Sequence, residues 1–200
     1  MHLNLSQTLL NPDSFRKLFK AMMRNYSVTS LEVGNPGNIN RNRLGTKGTL
    51  QLAEMLKANH TLQFLDFRGL TMGDMCCSLL AQGLQENTSL VYLNLSRCDL
   101  SSESMSELAK SLRCSSLLDL DLSNNNLGDS GVARFCVYIA SVSCKLKKLD
   151  LTNCKIGPAG ANCIFSKIYL RQSHCPGLQN LILAHNRFYQ RSVAKIGQCV

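Results

Sequence analysis

Acidic and aromatic residues recur in short apolar runs along this chain. Four acids and one amide occupy the same position in successive runs: Glu32, Asp66, Asn94, Asp121 and Asp150. The residues two places earlier in those runs include Phe64, Tyr92, Asp119 and Lys148. Residues two apart in a strand share a face, so carboxylates would lie beside rings. Acidic side chains on neighbouring strands suit a basic peptide or helix, and the aromatic rings near the centre are candidate anchors.

The remaining reactive residues form no catalytic or metal-binding pattern. The sequence holds no phosphate-binding loop, no His-Glu-x-x-His and no Gly-x-Ser-x-Gly motif. Cys76 and Cys77 are adjacent on a predicted helix and are poorly placed to share a metal. His174, Cys175 and His185 lack a second cysteine pair at finger-like spacing. We therefore predict a protein that is not an enzyme, with no catalytic residues, no metal, no cofactor and no small-molecule substrate.

The acidic and aromatic positions belong to a repeated frame, L-x-x-L-x-L-x-x-N-x-L, which residues 117–127 match without a mismatch. Frames begin at residues 28, 62, 90, 117, 146 and 178, and residues 3–10 resemble a copy that lacks its first residue. The alternating leucines predict a short strand with one buried face. Because one unit cannot bury its apolar side alone, the units are expected to stack into a solenoid.

A helical period of apolar residues follows the frames. It predicts helices over residues 73–85, 102–113 and 129–141, with Met75 on the buried side of the first. Ser101, Asp129 and Pro158 have the chemistry of helix-start residues. Helices wider than the strands would curve the stack. We expect an α/β horseshoe of about six to seven repeats, with a concave parallel sheet and convex helices.

Two predicted strand-to-helix turns, residues 127–133 (LGDSGVA) and 156–161 (IGPAGA), resemble those of ribonuclease-inhibitor-like leucine-rich repeats. That class includes ribonuclease inhibitor, the Ran GTPase-activating protein, tropomodulin and the repeat domains of NOD-like receptors. The alternation of Cys98, Asn125, Cys154 and Asn186 is similar to the two repeat types of ribonuclease inhibitor. The resemblance implies a single leucine-rich repeat domain over residues 1–200, either whole or a piece of a longer stack.

Ten cysteines would suit disulfides in a secreted protein. The first residues show no signal peptide, and no apolar stretch approaches the ~20 residues that cross a bilayer. Cys98 and Cys154 stand where the frame requires a small buried residue. We therefore interpret these two cysteines as reduced and structural, and predict a cytoplasmic location, with the nucleus as the alternative.

The second unit is irregular, because Leu44 follows Val33 by eleven positions instead of the usual five. The extra loop carries Arg41, Asn42 and Arg43. Loops on a rigid scaffold often carry function, so these residues are candidates for contact with a small GTPase. The alternative is a surface insertion that the fold merely tolerates. A smaller insertion is predicted at residues 169–176, and a last helix is predicted from residue 192.

The charges separate by surface although the chain carries a net charge of +9. The predicted concave binding residues are Glu32, Phe64, Asp66, Arg68, Tyr92, Asn94, Asp119, Asp121, Lys148 and Asp150. We expect a protein partner with a basic segment there, so that the chain acts as a non-catalytic interaction scaffold. The alternatives are a structural subunit of a large cytoskeletal, ciliary or ribonucleoprotein assembly and a regulator of small GTPases.

Many basic residues instead fall on predicted helices and loops. They are Arg16, Lys17, Lys20, Arg24, Arg41, Arg43, Lys47, Lys57, Lys110, Arg113, Arg134, Lys167 and Arg171. Nucleic acid would meet like charge in the acidic concave groove. Contact with nucleic acid or another anionic surface is therefore expected only through this convex basic face.

Overall fold

The computed structural model describes residues 1–35, 37, 39–113, 115–139, 145–169 and 177–188. The insertion predicted at 169–176, with Arg171, His174 and Cys175, lies outside this range except for Tyr169, and so does the helix predicted from residue 192. The described residues form alternating strands and helices from one end to the other.

Seven short strands make one parallel sheet in chain order. They are β1 (His2–Asn4), β2 (Ser30–Glu32), β3 (Phe64–Asp66), β4 (Tyr92–Asn94), β5 (Asp119–Asp121), β6 (Lys148–Asp150) and β7 (Asn180–Ile182). The helices are α1 (Pro12–Met22), α2 (Gly45–Ala58), α3 (Gly73–Glu86), α4 (Met105–Leu112), α5 (Gly128–Ile139) and α6 (Pro158–Ile164), which continues as a π-helical turn, Phe165–Tyr169. The predicted α/β solenoid of about seven repeats is confirmed.

The core lies between the sheet and the helices and is continuous along the stack. The middle residue of each inner strand is fully buried; these are Leu31, Leu65, Leu93, Leu120 and Leu149. Each of these leucines stabilises the fold by roughly 1.5–3 kcal/mol, according to typical burial values. Successive helices pack against one another on the other side of the core. Each repeat is therefore covered by its neighbours.

A row of side chains, here called the turn ladder, joins successive repeats where each strand ends. Its members are Thr8, Asn42, Leu70, Cys98, Asn125, Cys154 and Asn186. Asn125 Nδ2 donates to the Leu95 carbonyl of the preceding repeat at 2.9 Å, and its Oδ1 accepts from the Cys98 N–H at 3.1 Å. Cys154 Sγ donates in the same way to the Leu122 carbonyl at 3.2 Å. Because these bonds satisfy backbone groups that a turn leaves unpaired, Asn and Cys can alternate along the ladder.

The six described cysteines are free thiols, and five of them are buried. Burial raises the pKa of Cys77 and of Cys154 to about 12. Burial also raises the pKa of Cys98. These thiols are therefore protonated at neutral pH and are poor nucleophiles. The prediction that Cys98 and Cys154 are buried structural residues is confirmed.

Two helix predictions were wrong in detail: the start of α4 and the buried side of α3. The start of α6 at Pro158 is confirmed, and α5 begins at Gly128, one residue before the predicted start. Helix α4 begins at Met105, because Asp74 of the preceding repeat accepts hydrogen bonds from the Ser101 N–H at 2.9 Å and the Ser104 hydroxyl at 2.7 Å. These bonds hold the segment before α4 in a turn. Met75 is 71% exposed. The buried side of α3 is instead formed by Cys76, Cys77, Leu80, Ala81 and Leu84.

Candidate functional site

Two rows of side chains cross the concave face, which is the sheet surface opposite the helices. The first-residue row contains Ser30, Phe64, Tyr92, Asp119, Lys148 and Asn180 in register. The third-residue row contains Glu32, Asp66, Asn94, Asp121, Asp150 and Ile182 in register. Neighbouring members of a row lie on paired strands, ~5 Å apart. The fold therefore brings together the ten residues predicted for this face, with Arg68 just past the end of β3.

Phe64 and Tyr92 form a stacked pair near the middle of the face. Their ring centroids are 4.0 Å apart and their planes differ by 1°. Both side chains are half-buried. The Tyr92 hydroxyl accepts a hydrogen bond from Asn94 Nδ2 at 3.2 Å, and burial raises the pKa of Tyr92. Because the rings stack face to face, each covers one face of the other, and the pair offers a partner the ring edges and the outer face of each ring.

The third-residue row has a structural reason for its Asp and Asn residues. Oδ1 of Asp66, Asn94, Asp121 and Asp150 accepts the backbone N–H two residues later, in each case at 2.8 Å. This local bond stabilises the turn at the strand end. Asn94 makes it with an amide, so the bond does not require a carboxylate. The negative charges of Asp121 and Asp150 are therefore not needed for this turn.

The acids on the face differ in how far their charge is compensated. Arg68 pairs with Asp66 at 2.9 Å, and Asp66 is only 4% exposed. Burial raises the pKa of Asp66, although its hydrogen bonds with Arg68 oppose that effect. Lys148 pairs with Asp119 at 3.1 Å, and this bond raises the pKa of Lys148.

Near the first strand, Glu32 contacts Asn4 Nδ2 at 2.9 Å and His2 Nε2 at 3.6 Å. At the other end of the row, Asp121 and Asp150 are half-buried. In the described part of the chain, no ion pair involves either of these carboxylates. Among the strand acids that have no Lys or Arg partner in the described residues, Asp121 and Asp150 lie on neighbouring strands, β5 and β6.

Asp119 adds an unusual feature to this end of the face. Its Oδ1 atom is buried and has no hydrogen-bond partner among the described residues, while Oδ2 holds Lys148. Buried carboxylate oxygens are normally hydrogen-bonded, and leaving one unpaired is costly. Asp119 lies in register between Tyr92 and Lys148.

The three loop candidates, Arg41, Asn42 and Arg43, differ in their exposure. Asn42 is buried, with its Nδ2 donating to the Leu5 carbonyl at 2.8 Å and its Oδ1 accepting from the Leu10 N–H at 2.8 Å. It is therefore a member of the turn ladder rather than a surface loop residue. Leu44, two residues later, is the frame signal that could have identified it. Arg41 and Arg43 are exposed and line a cavity beside the turn.

The convex basic face, on the helix side, carries acids that offset part of its charge. Lys57 lies 3.4 Å from both Glu54 and Glu86. Lys110 pairs with Glu107 at 2.7 Å, and Arg134 pairs with Glu103 at 3.0 Å. Exposed pairs of this kind contribute little stability, but they reduce the field that an anionic partner would meet.

Two further classes of site are absent from the described ranges. No helix there combines the length and the apolar character needed to cross a bilayer. No group of three or more His, Cys, Asp or Glu side chains there is arranged to hold a metal ion.

Comparison with known proteins identifies the repeat class. A family model described as Leucine Rich repeat matches residues 86–109, 113–136 and 142–165. Mouse NACHT, LRR and PYD domains-containing protein 12 is 36% identical over 149 residues, which cover 74% of this chain. Mouse ribonuclease inhibitor is 33% identical over 147 residues, which cover 72% of this chain. The chain consists of ribonuclease-inhibitor-like leucine-rich repeats.

This leucine-rich repeat chain is short beside these relatives. The matched regions cover 14% of the mouse NACHT, LRR and PYD protein and 31% of mouse ribonuclease inhibitor. The solved structure of leiomodin-1 actin-binding site 2 aligns with a TM-score of 0.55 at 17% identity, over 68% of this chain and 76% of that one. That likeness shows the shared fold. Leucine-rich repeat proteins typically serve as protein-interaction modules and use an extended concave surface.

Proposed function

We propose that this leucine-rich repeat chain is a non-catalytic scaffold whose concave face binds a basic segment of a protein partner. The observation that carries the proposal is the pair of carboxylates on Asp121 and Asp150. Their local turn bond can be made equally well by an amide, as Asn94 does. A charge that the turn does not need is available for recognition.

The aromatic pair supports the same surface. Tyr92 is in register with Asp119, and Asn94 is in register with Asp121. A cationic side chain placed over the Tyr92 ring would therefore lie one strand, ~5 Å, from Asp119 and on the diagonal, ~7–8 Å, from Asp121. Ring and carboxylate attract a cation together more strongly than either does alone, because the half-buried site is partly shielded from water. An arginine is favoured, since its planar guanidinium group stacks on an aromatic ring and its fork matches the geometry of a carboxylate.

The relatives support a protein as the class of partner. Ribonuclease inhibitor is named for acting on an enzyme, and the leiomodin-1 segment is described as an actin-binding site. The free thiols of the six described cysteines favour a reducing compartment, and we place the scaffold in the cytoplasm or nucleus. The roles of assembly subunit and small-GTPase regulator stay predictions.

The test uses synthetic peptides in place of the unidentified partner. A fluorescent 12-residue peptide with two arginines flanking a leucine is compared with one in which glutamine replaces both arginines. The double variant Asp121→Asn and Asp150→Asn keeps both turn bonds and removes both charges. We expect at least tenfold weaker binding of the arginine peptide and an unchanged melting temperature. Asp13→Asn on the convex side is the matched control, and it should bind as the parent does.

A second variant adds charge instead of removing it. Asn94→Asp places a carboxylate between Asp66 and Asp121 while keeping the acceptor for the Ser96 N–H. Tighter binding of the arginine peptide is expected. Equal binding by the parent, the double variant and the Asn94→Asp protein would mean that the concave acids take no part in recognition.

A further inference from the structure

Positive charge on the convex basic face is greatest at the first helix. From residue 13 to residue 24 the chain carries four basic residues and one acid. The four bases, Arg16, Lys17, Lys20 and Arg24, are all exposed. Within the described residues, no ion pair involves Lys17, Lys20 or Arg24, and Arg16 lies 3.9 Å from Asp13. Most of this positive charge is therefore open to an approaching anion.

The helices that follow do not share this excess. Helix α3 contains two acids and no base. Lys110 of α4 pairs with Glu107, and Arg134 of α5 pairs with Glu103. Lys57 of α2 lies between two carboxylates, one on its own helix and one on α3. Among α1 to α5, the positive potential that an anionic partner would meet is therefore strongest at α1.

Helix α1 holds its cations in place because its other side is fixed in the core. Asn11 Oδ1 caps the helix start by accepting the Ser14 N–H at 2.9 Å. Phe15 and Phe19 are fully buried and stack with ring centroids 5.5 Å apart. The exposed bases recur about one turn apart and span ~12 Å along the helix. The apolar side of α1 is therefore unavailable to an outside partner, which meets the charged side.

Two exposed apolar side chains lie near these cations. Tyr26, two residues after Arg24, is 79% exposed. On the adjacent helix α2, Lys47 lies 3.9 Å from Asp13 of α1, and Leu50, one turn after Lys47, is 51% exposed. Cations beside an exposed aromatic ring suit a membrane surface, where lysine and arginine meet anionic headgroups and tyrosine lies at the interface.

We propose that this α1 patch, formed by Arg16, Lys17, Lys20, Arg24, Tyr26, Lys47 and Leu50, binds the surface of a bilayer that contains anionic phospholipid. Nucleic acid normally lies in a positively charged groove, whereas the α1 patch is on the outer, convex side of the stack. Leu50 gains burial among acyl chains and gains nothing from a phosphate backbone. The contact is peripheral, since the apolar side of α1 stays in the core. It uses the helix side and does not depend on the function proposed for the concave face.

The test uses vesicles of phosphatidylcholine with and without phosphatidylserine, together with poly-uridine RNA and poly-glutamate. Because the chain contains no tryptophan, Tyr26→Trp introduces a single fluorescent reporter into the α1 patch. Saturable binding and a blue shift of the tryptophan emission are expected with the phosphatidylserine vesicles, and no shift with phosphatidylcholine alone. Binding to RNA or to poly-glutamate that is tighter than binding to the phosphatidylserine vesicles would overturn the proposal in favour of a nucleic acid or an acidic protein.

Charge variants separate the α1 patch from the net charge of the chain. Lys20→Gln with Arg24→Gln should weaken vesicle co-sedimentation roughly tenfold or more, since each cation near an anionic surface contributes about fivefold. Lys20→Arg with Arg24→Lys keeps both charges and should bind as the parent does. The matched control, Arg113→Gln with Arg134→Gln, removes two exposed cations at α4 and α5 and should leave binding unchanged. Equal binding by the two glutamine double variants, with melting temperatures equal to that of the parent, would refute the α1 patch.

Discussion

The second and fifth repeats carry the same buried asparagine and differ by six residues of chain just before it. Asn125 and Asn42 make matching bonds: Nδ2 of each donates to a carbonyl of the preceding repeat, and Oδ1 of each accepts two of its N–H groups. The strands on either side keep the same register in both places. The comparison shows that register between repeats is maintained by the turn ladder and the core leucines, and not by the length of the turn.

The insertion also supplies a hydrogen-bond acceptor that the turn ladder lacks next to Asn42. The Cys98 and Cys154 N–H groups donate to an asparagine in the following repeat. Asn42 faces a repeat whose ladder residue is Leu70, which offers no acceptor. Its N–H donates instead to Asn35 Oδ1 in the inserted loop, at 2.8 Å. The second repeat therefore supplies from its own loop what the fourth and sixth repeats receive from the repeats that follow them.

Removing the ladder amide should produce the largest effect. Asn125→Ala leaves several buried backbone groups unpaired, at ~1–3 kcal/mol each, so we expect the free energy of unfolding to fall by about 3 kcal/mol or more. Asn42→Ala should cost a similar amount if the two repeats are equivalent. Urea unfolding followed by circular dichroism measures both. If Asn42→Ala lowers the free energy of unfolding by less than about 1 kcal/mol while Asn125→Ala shows the full loss, the two repeats are not equivalent.

The acid at the helix start should have a smaller effect. Asp74 receives bonds from the Ser101 N–H, the Ser101 hydroxyl at 2.5 Å and the Ser104 hydroxyl. Asp74→Ala should lower the free energy of unfolding by about 1–2 kcal/mol at pH 7. Thr46→Ala changes the corresponding residue of the second repeat, which makes no hydrogen bond across repeats within the described residues, and should be nearly neutral.

The same variant gives a pH signature. Burial alone would raise the pKa of Asp74, but the hydrogen bonds from Ser101 and Ser104 lower it below its usual 3.8. A lowered pKa in the folded state gives stability that is present above pH ~4 and lost as the pH falls further. The difference between the parent and Asp74→Ala should therefore shrink below pH ~4. A constant difference down to pH 2 would show that the carboxylate charge contributes nothing.

Shortening the second repeat should cost about as much stability as removing the Asp74 carboxylate. Deleting residues 36–41 places Asn42 three positions after Val33, as in the regular frame, but it makes Asn35 the immediate neighbour of Asn42, so Asn35 Oδ1 can no longer accept the Asn42 N–H. Loop entropy varies slowly with length, about 0.6 kcal/mol per doubling, so we expect the lost bond to dominate and the free energy of unfolding to fall by about 1–2 kcal/mol. A larger loss of stability, measured in urea, would mean that the loop supports the fold beyond its bonds to Asn42.

The sequence predicted the fold and the composition of the concave face because both depend on periodicity. Once the frames were aligned, Phe64, Tyr92 and Asp119 had to share one row, since a strand alternates its faces and a solenoid repeats its register. The start of α4 could not be predicted in this way. Ser101 resembles a helix-start residue, but Asp74, from the preceding repeat, holds it in a turn.

What the sequence determined by itself was the repeat: where each strand lies, which leucines are buried and which side chains face the partner side of the sheet. The tertiary structure alone decided which of those side chains are available. Arg68 compensates Asp66, while Asp121 and Asp150 have no ion pair within the described residues. It also decided that the inserted loop opens a cavity while Asn42 stays in the ladder. The physical reason is that periodicity fixes the backbone register, whereas charge pairing and cavities depend on distances between side chains of neighbouring repeats.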